Sequence, residues 1–126
     1  MKKLIIPSIM ATLLLLASCD KVESVNFPTL DNSPYKELAQ KYLPKGCSGV
    51  IAFSIKGGRD AAVRFIDNVK LASLVVHVAD VRTLVLHPAS STHRQLTDEQ
   101  LVAAGINPGL IRLSVGIENI DASSRI

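Results

Sequence analysis

An arginine in the middle of an apolar run is the first residue of this 126-residue chain to suggest chemistry. Arg112 stands in Leu110-Ile111-Arg112-Leu113-Ser114-Val115. Strand alternation puts Leu110, Arg112 and Ser114 on one face, and Ile111, Leu113 and Val115 on a core face. A guanidinium beside Ser114 could hold a carboxylate bidentately. It could equally mark the solvated edge of a one-sided sheet, and spacing alone favours that reading. His77, His87 and His93 have no cysteine or carboxylate pair at ligand spacing, so structural roles are expected and no metal site. Ser90, Ser91 and Thr92 place hydroxyls near His93, but no Asp or Glu completes a triad, which leaves a loop. Gly57-Gly58 before a helix could cradle a phosphate. It lacks the spacing of a dinucleotide or P-loop motif, so a tight turn is expected.

The elements that must carry these residues alternate. Ser33 before Pro34 suits a helix N-cap, with Tyr35, Leu38, Ala39, Tyr42 and Leu43 at helical spacing and Pro44 and Gly46 as a stop. Residues 49–55 read as a strand and residues 59–69 as a helix, with Ala62, Phe65, Ile66 and Val69 on one face. Two β-rich runs follow, 71–78 and 83–86. Thr97 and Gln100 form a capping box, Gly105 ends that helix, and residues 110–115 make the last strand. The order α-β-α-β-β-α-β implies an α+β fold, a small sheet with helices packed on it.

The first residues are of another kind. Lys2 and Lys3 precede an uncharged run from Leu4 to Leu16, and Leu16-Ala17-Ser18-Cys19 follows. That order resembles a lipoprotein signal, with the Cys19 thiol as the acylation nucleophile. An ordinary secretory leader or an uncleaved helix is the plainer alternative. The expected organisation is a signal peptide with an N-terminal signal helix over residues 1–18, a lipidated polar linker over 19–30, and one domain over 31–126. The chain would then be anchored in the membrane through Cys19 on the periplasmic side. With Cys19 acylated, Cys47 has no partner for a disulfide.

The chain is 48% hydrophobic and 20% charged, a globular balance, and its 4% aromatics demand an aliphatic core. Its net charge of +3 comes from 14 basic and 11 acidic residues. Loss of Lys2 and Lys3 with a leader lowers it to +1, and no basic stripe with interleaved aromatics remains to bind nucleic acid.

Five segments carry a family resemblance: V-N-F-P-T-L, S-P-Y-K-E-L-A-Q-K-Y-L-P-K-G, F-S-I-K-G-G, T-L-V-L-H-P-A-S-S-T-H-R-Q-L and L-I-R-L-S-V-G-I-E-N-I-D. From about Val25 to Asp121 the chain resembles the C-terminal domain of the PLP-dependent Cys/Met-metabolism (trans-sulfuration) family, which has fold type I. Within it the resemblance is to the O-acetylhomoserine sulfhydrylases, or O-acetylhomoserine aminocarboxypropyltransferases. These transferases of methionine biosynthesis are cytoplasmic. They make homocysteine and acetate from O-acetylhomoserine and sulfide by γ-replacement on pyridoxal phosphate.

The resemblance implies that Arg112 binds the substrate's α-carboxylate. It places His77 where the family has a small polar residue that helps hold the same group, and Ala79 where the family has glycine. The Schiff-base lysine and phosphate site belong to a larger domain that these motifs do not include, so no cofactor is expected to bind this chain alone. The motif also runs on into a closing helix that residues 121–126 do not match. The expected protein is therefore a fragment, inactive by itself and prone to self-association. The alternatives are a lipid-anchored envelope interaction module, or one chain of a split enzyme completed by a chain with the PLP domain.

Overall fold

A computed structural model describes residues 21–70, 72–77 and 80–118. The expected signal helix, Cys19, Ala79 and residues 119–126 lie outside them. The elements are β1 (Val22–Asn26), α1 (Lys36–Tyr42), β2 (Val50–Ile55), α2 (Gly58–Asn68), β3 (Ser73–Leu74), β4 (Leu84–Leu86), a 3-10 turn (Pro88–Ser90), α3 (Asp98–Ala103) and β5 (Leu110–Ser114). The strands form one sheet in the order β1-β2-β5-β4-β3. All neighbours are antiparallel except β3 and β4. The expected small sheet with helices is thus observed, and it is mixed.

Alternation in β2 and β5 sends Ile51, Phe53, Ile111 and Leu113 to one face, where Phe27, Ala62, Ala72 and Val85 join them in the core. The stripe of α2 covers that face, and the Phe65 ring meets Phe53 edge-on, with centroids 5.8 Å apart. Each large side chain buried there stabilises the fold by about 1.5–3 kcal/mol. Ile111→Ala, at a fully buried position, would cost about 2–5 kcal/mol. The turn into α2 needs both its glycines: Gly57 has φ +99° and Gly58 φ +64°, where a side chain would be strained. The tight-turn reading holds, as does the capping box between Thr97 and Gln100.

Three expectations are corrected. Residues 19–30 are not merely a linker, because β1 pairs with β2 and Phe27 is buried. Its polar look comes from being an edge strand with a register shift between Val22 and Ser24, which breaks the alternation. Among the described residues of the 71–78 run, only Ser73–Leu74 join the sheet. Tyr35, not Ser33, occupies the N-cap of α1; the Ser33 hydroxyl instead accepts from the Tyr35 amide at 3.3 Å. The helical period of α1 is observed, and its stripe buries Ala39 while Tyr35, Leu38, Tyr42 and Leu43 are exposed.

Candidate functional site

Strand order decides the setting of Arg112. β5 is the middle strand, so Arg112 lies between Ala52 of β2 and Leu86 of β4 rather than on a solvated edge. On its face Ser54, Leu84, Leu86 and Ser114 are buried, so the sheet is not one-sided here. The Arg112 side chain reaches the segment after β3. Its Nη2 donates to the Val76 carbonyl at 2.7 Å and to the His77 carbonyl at 3.1 Å. Its Nε is buried and has no hydrogen-bond partner among the described residues. A buried N–H left unpaired costs about 1–3 kcal/mol. The two carbonyls fix the plane of the guanidinium.

His77 therefore meets Arg112, but through its main chain, while the residue itself is exposed. The family resemblance placed both at one site without indicating this contact. Beside them the Arg82 guanidinium holds the Asp80 carboxyl down at about 2.

The remaining candidates are held in the frame. His87 is fully buried. Its Nε2 lies 2.8 Å from the Pro108 carbonyl, which only accepts, so Nε2 carries the proton and Nδ1 accepts from the Ser90 hydroxyl at 2.9 Å. The Ser91 hydroxyl donates to the His87 carbonyl at 2.6 Å, and Thr92 pairs with His93 Nδ1 at 2.9 Å. Among the described residues no three His, Cys, Asp or Glu converge as a metal site would require, and no helix is long and apolar enough to cross a membrane. The Cys47 thiol is free and half-buried.

Two tying groups were not singled out by the sequence, although Glu118 lies in the L-I-R-L-S-V-G-I-E-N-I-D segment. Arg59 donates from Nε to Asp98 at 2.7 Å, from Nη1 to the Ala89 carbonyl at 2.6 Å and from Nη2 to the Leu96 carbonyl at 3.1 Å. Glu118 accepts from the Thr83 amide and, at 2.9 Å, from the Thr83 hydroxyl. Their partners are 30 or more residues away in sequence, beyond the reach of local patterns.

Among the described residues no lysine is placed to hold pyridoxal phosphate. Lys21, Lys41, Lys45, Lys56 and Lys70 are exposed, and the Lys36 ammonium sits on Asp31 at 2.6 Å. A cavity of about 240 Å³, lined by Val25, Asn26, Phe27, Asn32, Ser33, Pro34 and Tyr35, offers neither lysine nor arginine.

This mixed sheet with helices on it matches solved structures of fold-type I PLP enzymes. The model of the Cys/Met metabolism PLP-dependent enzymes matches residues 8–123. The chain belongs to that family. It is 46% identical over 102 residues to O-acetyl-L-homoserine sulfhydrylase of Leptospira meyeri, covering 80% of this chain and 23% of the relative. Against L-methionine gamma-lyase of Fusobacterium nucleatum subsp. polymorphum it is 46% identical over 101 residues, 80% of this chain and 25% of the relative. The chain spans about a quarter of the length of these curated relatives. Among solved structures, an O-acetylhomoserine (thiol)-lyase from Campylobacter jejuni, carrying N'-Pyridoxyl-Lysine-5'-Monophosphate, superposes with a TM-score of 0.79. Its identity is 38%, over 91% of this chain and 27% of that one. Cystathionine gamma synthase from Xanthomonas oryzae pv. oryzae, in complex with cystathionine, gives a TM-score of 0.82 at 34% identity, over 97% and 31% of the two chains.

Proposed function

We propose that this chain supplies the α-carboxylate half of the substrate site of an O-acetylhomoserine sulfhydrylase-type enzyme, and that it does not turn over substrate alone. The observation that carries the reading is the Arg112 guanidinium: Nη2 is anchored on two carbonyls, while the buried Nε has no partner among the described residues. The reaction would be γ-replacement of acetate by sulfide on O-acetylhomoserine. Arg112 would hold and orient the amino-acid carboxylate, a role suited to a fixed planar cation and poorly to lysine. His77 would flank the carboxylate through the segment that grips Arg112. A lysine-bearing PLP domain on a complementing chain would supply the chemistry. Acylation of Cys19 would hold the chain on the periplasmic side of a membrane.

The test is complementation. The purified chain is mixed with the Leptospira meyeri enzyme lacking its matched 102 residues, and homocysteine formation is followed. Turnover is expected only in the mixture. Arg112→Ala should lower kcat/KM about 10- to 100-fold by removing a charged hydrogen-bond pair. Turnover by the chain alone, or an unaffected Arg112→Ala mixture, overturns the reading. The anchor is tested by mass spectrometry of the chain from a lipoprotein-processing bacterium: acylated Cys19 is expected, and an intact Met1 terminus contradicts it.

A second reading is an envelope interaction module, favoured by the exposed Tyr35, Leu38, Tyr42 and Leu43 on α1. Recovery of a stable envelope complex that Leu38→Lys abolishes, with no complementation, would select it.

A further inference from the structure

The carbonyls that grip Arg112 lie just beyond a weak piece of sheet. β3 pairs with β4 over two residues, Ser73 with Leu84 and Leu74 with Val85. The Ser73 amide donates to the Thr83 carbonyl at 3.1 Å and the Val75 amide to the Val85 carbonyl at 3.3 Å. Val76 and His77 come next. Thr83 is therefore one of the two posts from which the Arg112 collar hangs.

Thr83 is held from the far side by the turn that follows β5. Glu118 takes both of its donors, the amide and the hydroxyl. The Gly116 amide donates to the Thr83 hydroxyl oxygen at 3.0 Å, and the Ile117 amide to the Val81 carbonyl at 2.9 Å. Thr83 is fully buried. The approach requires glycine at 116, because a Cβ there would lie 2.5 Å from the Val81 oxygen. The turn and Arg112 belong to one chain segment, since β5 ends at Ser114. One end of this segment thus carries the fork, and the other fastens the collar that orients it.

We propose that Glu118 is a positioning residue for Arg112, acting through Thr83 to set the Val76 and His77 carbonyls against the guanidinium. The proposal rests on the reading of Arg112 as the carboxylate fork. Partial burial pushes the Glu118 carboxyl up. The Thr83 amide, its own amide and the Thr83 hydroxyl outweigh that and hold it below 4.5, so the carboxylate is the working form at neutral pH.

Amide hydrogen exchange on the full chain tests this without any ligand. In Glu118→Ala, protection at Ser73 and Val75 should fall about tenfold or more, while Phe53 and Ile111 in the β2–β5 pair keep theirs. Glu118→Gln retains one acceptor and should restore part of the loss. If Glu118→Ala does not fold, Glu118→Asp, one methylene short of Thr83, replaces it with the same expected pattern. Unchanged Ser73 and Val75, or an equal loss at Phe53 and Ile111, overturns the proposal. Titration with L-norleucine, monitored at the Arg112 side chain, separates it from the parent reading. A wild-type chain that ignores norleucine yet shows the exchange pattern keeps the latch and loses the carboxylate fork. One that binds norleucine without the pattern keeps the fork and loses the latch.

Discussion

Two arginines at different corners of the molecule have opposite hydrogen-bond accounts. At the corner where α2 meets the 89–98 loop, Nε, Nη1 and Nη2 of Arg59 each have an acceptor. Between β5 and the segment after β3, Arg112 uses Nη2, and its buried Nε has no partner among the described residues. Every nitrogen of the first guanidinium has an acceptor, and together they join loop and helix. The second is held in place and still has donors to offer. Donor accounting, rather than burial or charge, separates a structural arginine from a binding one.

The largest expected effect breaks the committed corner. Arg59→Ala leaves the Ala89 and Leu96 carbonyls without their donor and should cost about 2–3 kcal/mol, seen as a lower urea midpoint. The exposed Asp98 contributes little of that. An unchanged midpoint would erase the contrast.

Acid titration sharpens the other corner. Glu118 has a folded-state pKa below its ordinary 4.5. Its stabilisation is fully present above 4.5 and is lost as pH falls through the folded value. Asp80, held at about 2 by Arg82, and Asp31, lowered by Lys36, act in the same direction, but both are ion pairs that high salt weakens. Melts at high salt from neutral pH to about 3 should show wild type and Glu118→Gln converging below 4.5. A constant difference would show that the Glu118 charge is not what stabilises the turn.

Arg112→Leu should change stability by less than about 1 kcal/mol, because it removes a buried unpaired N–H along with two half-exposed bonds. A loss as large as that of Arg59→Ala would make the two corners alike. The smallest effect on folding is expected on α1. Leu38→Lys with Tyr42→Lys should leave the melting midpoint nearly unchanged and reduce self-association in sedimentation, since both side chains already face water. A cooperative loss of fold would show that this stripe is packed.

Much of the frame could be read from residue order, because it rests on local patterns. Alternation located Ile111 and Leu113 in the core, the Thr97–Gln100 spacing marked α3, and Gly57-Gly58 marked the turn into α2. The edge strand β1 was hidden because a register shift breaks its alternation. The helical period of α1 was legible, but its burial was not, since period reports a face and not what covers it. Arg112 itself could be singled out by its place in an apolar strand. Its environment could not: whether β5 lies at the edge or the centre depends on strand order, which is a property of the whole chain. The Arg59 and Glu118 ties are invisible for the same reason.

The most direct measurement observes the two guanidinium groups together. Side-chain 15Nε–H resonances of Arg59 and Arg112 are followed in the full chain during titration with L-norleucine, an unreactive α-amino acid. The account predicts a saturable shift at Arg112 and none at Arg59, abolished by Glu118→Ala more than by Glu118→Gln. A shift at neither arginine, or equal shifts at both, would contradict it.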